Sequence, residues 1–198
     1  MISSEVEKNL QIVLGESYDY AISAVAYSET KSLTYNYIGM AEFRDALTHI
    51  KRALISKDEK ESISEINSAA EHIRRAAVES IQEYVESKYK NVKDRAYTPM
   101  PIYYLIFHKT PDIKLIKEKE NVIKNCIYKG REAKPSKHWE ESITYFLEAE
   151  KELEELEKII PPVRQLNFVS SEILILFFMI FVGIFLTVVG FTVSGHFK

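Results

Sequence analysis

The run 173-ILILFFMIFVGIFLTVVGFTV-193 near the end of the chain contains no charged side chain. An α-helix rises about 1.5 Å per residue, so about 20 apolar residues span the hydrocarbon core of a bilayer. Ser170 and Ser171 are suited to cap the start of such a helix. A buried helix of a globular core is the alternative, but a core helix rarely lacks a polar face over this length. The run therefore predicts a transmembrane helix over 171–194, with a short tail at 195–198.

Small residues of this run share one helix face. Gly183, Thr187, Gly190 and Ser194 follow one another at spacings of four, three and four residues. Small side chains at such spacing let two helix backbones approach closely in lipid. Glycine is also common in simple membrane anchors, so a face without a role is the alternative. We expect oligomerisation through this face, either as a dimer or as several copies around a pore.

Composition limits the rest of the chain, which is long enough for one domain over 1–165. The 198 residues carry a net charge of −3, which excludes a generally basic nucleic-acid-binding protein. Cys126 is the single cysteine, so neither an intrachain disulfide nor a thiolate metal site is possible. The N-terminus lacks the basic-then-apolar pattern of a secretory signal. We expect a single-pass membrane protein whose N-terminal domain lies in the cytoplasm.

Helical spacing of apolar residues runs through the N-terminal domain. The two clearest stripes are Phe43, Leu47, Ile50 and Leu54, and then Ile66, Ala70, Ile73, Ala77, Ile81 and Tyr84. We expect helices after Gly39, from about Ser64 to Lys88, over 112–128, and from a cap at Ser136. Because no segment alternates as a strand does, the predicted fold class is all-α. It is a cytosolic helical bundle followed by a single C-terminal transmembrane helix.

Charge is unevenly distributed between two adjacent segments. Residues 109–138 hold nine Lys or Arg against four Asp or Glu, whereas residues 139–158 hold two Lys against eight Glu. Neighbouring helices of opposite sign attract each other. We therefore expect these two helices to pair.

An internal repeat identifies the candidate site. ALTHIKRAL (46–54) matches AAEHIRRAA (69–77) in the pattern Ala-x-x-His-Ile-basic-Arg-Ala, at an offset of 23 residues. If the two helices fold back as an antiparallel hairpin, His49 and His72 lie at the same height. The candidate ligand-binding residues are Arg44, His49, Lys51, Arg52, His72, Arg74 and Arg75.

This His/Arg cluster allows more than one interpretation. The residues can pair with nearby carboxylates at the edge of the core, which is a purely structural role. They can also form a cleft for an anion such as a nucleotide or oligonucleotide, because Arg and protonated His donate to phosphate oxygens. We expect no metal, because the sequence places no convincing carboxylate pair beside the two histidines. We expect no cofactor either.

A short motif of the first repeat resembles that of a known enzyme family. R-D-A-L-T-H (44–49) resembles the R-D-x-x-x-H signature of HEPN ribonucleases, which are helical and usually dimeric. The resemblance implies that Arg44 binds the scissile phosphate and that His49 serves as general acid or base. It predicts a metal-independent ribonuclease held at a membrane.

The layout of the whole chain is similar to that of small membrane effectors of prokaryotic antiphage defence, such as Hailong-type systems. These effectors join a cytosolic ligand-sensing part to a membrane part that permeabilises the bilayer. The resemblance implies an oligomeric sensor and effector that binds a nucleotide or oligonucleotide and alters membrane permeability, as an ion channel does. A tail-anchored scaffold that recruits a partner through the acidic helix is a further alternative.

Overall fold

The structure is a computed structural model, and it describes residues 3–97, 112–160 and 163–195. Within these ranges the chain is all-α and contains no strand, as predicted. The elements are α1 (Ser4–Ile12), a π-helical turn (Val13–Ser17), α2 (Tyr18–Ser32), α3 (Tyr37–Ile55), α4 (Glu59–Tyr97), α5 (Ile113–Ala133), α6 (Trp139–Ile159) and α7 (Val163–Gly195).

Helix α4 is the element on which the others pack. Its 39 residues contain neither Gly nor Pro, so nothing in its sequence interrupts the hydrogen-bond ladder. It is therefore longer at both ends than the predicted helix. Helices α2, α3 and α6 pack along it, while α5 packs mainly against α6. The core follows α4 from Ile66 and Ile73 to Val85 and Val92, all of which are buried.

Among the described residues, side-chain caps fix the starts of three helices, two of which are α1 and α3. Ser3 Oγ accepts a hydrogen bond from the Val6 backbone N–H at 3.3 Å and begins α1. Asn36 Oδ1 accepts from the Gly39 N–H at 2.7 Å, so α3 begins at Tyr37. Gly39 therefore lies inside the first turn of the helix and not before it, which corrects the predicted start.

Two other predicted helix boundaries are wrong. Helix α5 continues through Gly130 to Ala133, because one glycine costs a helix interior only about 1 kcal/mol. The missing side chain at Gly130 also admits the Phe146 ring, whose atoms would lie 3.0 Å from an added Cβ. Helix α6 begins at Trp139 and not at Ser136.

The predicted apolar stripe of α3 is wrong at two positions. Phe43 is buried, but Leu47 is 63% exposed and Leu54 is 46% exposed. Helix α3 instead buries small residues against α4, and they recur every seven residues: Gly39, Ala46 and Ala53. Small side chains let the two helices approach closely, and this rotation leaves the two leucines on the outer surface.

Helix α7 is continuous from Val163 to Gly195 and contains the whole uncharged run. Ser170 and Ser171 lie inside it, so the predicted cap at these residues is wrong. The helix begins within the segment 1–165 that the sequence assigned to the bundle. Every Leu, Ile, Phe and Met side chain between Leu174 and Leu186 is at least half exposed.

The side chains that the structure describes in α7 end at Thr187. Among the described residues, no helix combines the length and the apolar character that crossing a membrane requires. The transmembrane helix over 171–194 therefore stays a prediction.

The basic helix α5 and the acidic helix α6 pair with each other only in part. Lys119 Nζ donates to Glu152 at 2.6 Å across their hairpin. Other charges of the hairpin pair with α2 and α4 instead: Arg131–Glu86, Lys134–Glu79, Lys137–Glu71, Lys31–Glu154, Lys88–Glu154 and Arg95–Glu157. The opposite charges therefore hold the hairpin against the rest of the bundle.

The close approach of α3 to its neighbours is tested by Gly39→Ala. An added Cβ would lie 2.5 Å from Ser80 Oγ and 2.9 Å from Val25 Cγ2. We expect this substitution to lower the free energy of unfolding by about 1–3 kcal/mol, as overpacking does. Urea unfolding of the full chain in mild detergent measures it. Thr48→Ala on the exposed side of α3 is the control and should change stability by less than about 0.5 kcal/mol; equal stability of the two variants would contradict the packing.

Candidate functional site

Helices α3 and α4 form the antiparallel hairpin that the repeat predicts. Ser62 Oγ donates to the Ala53 carbonyl at 2.9 Å near the turn. Farther along, the rings of His49 and His72 stack with centroids 5.1 Å apart and planes inclined by 22°. The predicted common height of the two histidines is confirmed, whereas their role in binding a ligand stays a prediction.

Each histidine is held by a glutamate of the opposite helix. His49 Nδ1 lies 2.5 Å from Glu65 Oε2, and His72 Nδ1 lies 2.7 Å from Glu42 Oε2. All four side chains are about four-fifths buried, with exposed fractions between 17% and 22%. The hairpin thus carries a pseudo-twofold quartet of two histidines and two glutamates, which we call the His/Glu quartet.

The sequence analysis missed the two glutamates of the quartet. Glu42 and Glu65 are themselves related by the repeat offset, because each lies seven residues before the histidine of its own repeat. Extending the repeat by four residues toward the N-terminus would have found them. Each glutamate contacts the histidine of the other repeat, which only the folded hairpin reveals.

The quartet limits the chemistry of the site. An ionised carboxylate only accepts hydrogen bonds, so Nδ1 of each histidine carries the proton and Nε2 is the nitrogen left for another partner. In the described part of the chain, no group of three or more His, Cys, Asp or Glu could hold a metal ion. The two carboxylates of the quartet compete with any anion for the side chains around them.

The predicted arginines and lysine lie in different places. Arg75 Nη1 lies 3.7 Å from Glu42 Oε1 and so borders the quartet. Arg44 is 75% exposed and pairs with its neighbour Asp45. Lys51 and Arg52 are also exposed. Arg52 follows His49 by three residues, so these two side chains are neighbours on the surface of α3. The hairpin therefore brings together His49, His72 and Arg75, with Arg52 one helical turn from His49. Arg44 and Lys51 lie on other sides of α3.

Arg74 belongs to another part of the surface. It lines an open cleft of about 920 Å³ between the start of α2, the middle of α4 and the start of α6. Tyr20 and Trp139 are the aromatic side chains of this cleft, which also contains the Lys137–Glu71 pair. Burial, together with the charge of Glu140, raises the pKa of Tyr20. Four glutamates line this cleft, so it is not a basic site.

A buried carboxylate in α6 forms a second polar cluster. Glu150 is 4% exposed and accepts hydrogen bonds from Tyr27 Oη of α2 and Tyr84 Oη of α4, each at 2.8 Å. Burial, followed by the hydrogen bond to Glu150, raises the pKa of both tyrosines. Glu150 occupies a position on the apolar stripe of α6, between Phe146 and Leu153, and that position is the sequence signal for its burial.

A third cluster surrounds Glu120 of α5. Its carboxylate accepts hydrogen bonds from Tyr89 Oη at 2.9 Å and Tyr97 Oη at 2.6 Å, and pairs with Lys124 at 2.7 Å. Burial opposes ionisation, but these hydrogen bonds outweigh it and lower the pKa of Glu120 to about 2. The hydrogen bond to Glu120, with burial, raises the pKa of Tyr97 to about 12. Both tyrosines come from α4, so this cluster fastens α5 to the central helix.

No family model, no curated protein and no solved structure matches the chain. The resemblances to HEPN ribonucleases and to Hailong-type effectors therefore stay predictions.

The Glu120 cluster predicts a defined pH dependence. Because the folded-state pKa of Glu120 is lowered, its stabilisation is fully present above the pKa of an unfolded glutamate and is lost as pH falls toward about 2. We expect Glu120→Gln to cost about 1–3 kcal/mol at neutral pH and to flatten the acid dependence of stability. Unfolding of the full chain in detergent at several pH values measures both. Glu118→Gln, an exposed position on the same helix, is the control, and identical pH profiles for the two variants would contradict the assignment.

Proposed function

We propose that this chain is a membrane-anchored effector, in which α7 spans a bilayer and holds the helical bundle at its cytoplasmic surface. The observation that supports the proposal is the large apolar surface of α7, where every Leu, Ile, Phe and Met from Leu174 to Leu186 is at least half exposed. The run 173–193 contains no charge. Each exposed apolar Å² costs about 25 cal/mol in water, and a hydrocarbon layer removes that cost along the uncharged run.

The effector assembles through the small-residue face of α7. A Cβ added at Gly183 would meet no atom within 4 Å, so this part of the helix surface is open. Thr187 Oγ1 donates to the Gly183 carbonyl at 2.8 Å, which satisfies the hydroxyl inside its own helix. Gly190 and Ser194 continue the same helical spacing. Close packing of this face between copies forms the oligomer. The assembled effector changes the permeability of the membrane.

The effector responds to an anionic ligand, a nucleotide or oligonucleotide, that binds at the α3–α4 hairpin. Arg75 is 40% exposed beside the His/Glu quartet, and its 3.7 Å pair with Glu42 is longer than a hydrogen bond. Glu42 of α3 contacts both Arg75 and His72 of α4, so a phosphate that binds Arg75 removes one of the two contacts between Glu42 and α4. Ligand binding is in this way coupled to the contact between α3 and α4.

No observation favours the ribonuclease as a second candidate. Arg44 and His49 are five residues apart, which places them about 140° apart around α3. Arg44 pairs with Asp45 at the surface, while His49 contacts Glu65 of α4. Catalysis by the pair would require both side chains at one phosphate.

Assembly in the membrane is tested by Gly183→Ile combined with Gly190→Ile. We expect association to weaken by at least about tenfold, which is about 1.4 kcal/mol, because bulky side chains separate the helices. Crosslinking and ion flux in liposomes measure assembly and output together. Phe181→Ile with Phe185→Ile, on the opposite face of α7, should change neither. Unchanged assembly in the glycine variant would show that the bundle sets the copy number.

Ligand binding is tested by thermal shift of the full chain with nucleotides and oligonucleotides. Arg52→Ala and Arg75→Ala should each weaken binding by about 1.5–3 kcal/mol, as lost charge-assisted hydrogen bonds do. Glu42→Gln with Glu65→Gln should strengthen binding, because it removes the competing carboxylates. Lys117→Ala on α5 is the control. If no anion shifts the wild-type chain and the variants change only its melting point, the hairpin is structural and the anchored scaffold is the better account.

A further inference from the structure

Helix α3 presents a regular apolar surface to its outside. Met40, Leu47 and Leu54 are spaced by seven residues, lie on one stripe and are between 41% and 63% exposed. Arg44 and Lys51 occupy the positions between them and are exposed as well. We call these five residues the α3 outer face. Exposed apolar side chains in such a contiguous row are typical of a docking surface.

The charge of the α3 outer face has one sign. Helix α3 contains two acidic residues, and neither contributes a free negative charge to this face. Glu42 holds His72 against α4, and Asp45 pairs with Arg44. A helix that alternates cations with leucine and methionine on its outer side is typical of helices that lie on anionic lipid.

The turn before α3 adds further exposed apolar groups. Leu33 adopts a left-handed conformation, with φ 55°, and its side chain is 89% exposed. This conformation is uncommon for a residue with a bulky side chain. Tyr35 and Tyr37 follow, and both are exposed. Their rings pack edge to face, with centroids 4.8 Å apart. Tyrosine is enriched at the interface between membrane and water, where an apolar ring and a polar hydroxyl are both satisfied.

A second copy of the chain fits the α3 outer face less well. A symmetric dimer through this face would set Arg44 and Lys51 against the same cations of the partner. The acidic helix α6 has the complementary charge, but α6 and α3 contact different parts of α4. Helix α3 contacts α4 at Ser62, through Ala53, whereas α6 contacts α4 at Tyr84, through Glu150. Ser62 and Tyr84 are 22 residues apart, so in copies with parallel α4 axes these two contacts would differ in height by about 33 Å.

We propose that the α3 outer face docks on the anionic surface of a lipid bilayer, so that the bundle lies along the membrane that anchors it. This docking rests on the proposed function of α7, because the anchor brings α3 close to lipid. The leucines and Met40 enter the boundary between headgroups and acyl chains, while Arg44 and Lys51 pair with lipid phosphates. Docking fixes the orientation of the bundle and leaves the opposite side of α4 accessible.

The test uses the full chain in lipid nanodiscs with an environment-sensitive fluorophore at Leu47→Cys. Cys126 is buried, so the introduced cysteine takes the label. Lipids that carry a quencher report contact with the bilayer, in discs of phosphatidylcholine alone and in discs with added phosphatidylserine. We expect quenching at Leu47→Cys with phosphatidylserine, and at least about a fivefold loss of the docked population after Arg44→Glu with Lys51→Glu.

Two further labelled positions separate docking from anchoring. A label at Phe181→Cys in α7 should be quenched in both lipid mixtures, and a label at Leu147→Cys on α6 should be quenched in neither. Quenching at Phe181→Cys without quenching at Leu47→Cys overturns the docking and leaves the anchor standing. No quenching at either position overturns both. Energy transfer between Leu47→Cys labels of different copies, without lipid quenching, shows a protein interface and also overturns the proposal.

Discussion

The packing of helices along α4 is the constraint on which the rest of the structure depends. A helix of 39 residues is about 58 Å long, and its buried positions extend from Ser62 to Ala96. No single partner helix covers that length. Helix α3 therefore packs on the first half through small residues, and α6 packs on the second half through larger ones. Because each partner buries only its inner side, the outer side of α3 stays exposed. The Leu, Ile, Phe and Met side chains of α7 from Leu174 to Leu186 are exposed as well.

Charged groups inside the bundle are matched to partners. The quartet pairs Glu42 and Glu65 with histidines, while Glu150 and Glu120 each accept hydrogen bonds from two tyrosines. Burying a carboxylate without partners costs several kcal/mol, and here each cluster joins different helices. These contacts explain the number of tyrosines near α4 better than a catalytic role does. In contrast, the exposed apolar side chains of α3 and α7 and the exposed cations of α3 do not contribute to packing inside the bundle.

The sequence predicted the helical fold and the α3–α4 hairpin, because apolar periodicity and the repeat are local patterns. It did not predict that α3 turns Leu47 and Leu54 outward, since Gly39, Ala46 and Ala53 form an equally regular stripe and only the close approach of α4 selects it. The partners of the histidines were missed for a similar reason. Glu42 and Glu65 lie far in sequence from the residues that they contact. The predicted helix start at Ser170 was wrong, because the helix begins earlier, at Val163, and continues through Ser170 without a break.

The central claim is that α7 inserts into a bilayer, and alkaline extraction of membranes from cells that express the full chain tests it most directly. The account predicts that the chain sediments with membranes and stays there at high pH. Ile180→Lys with Ile184→Lys should release it, because each lysine at the centre of a span costs about 2.5–3.5 kcal/mol. Recovery of the wild-type chain as a monomer in the supernatant, without detergent, would contradict the account.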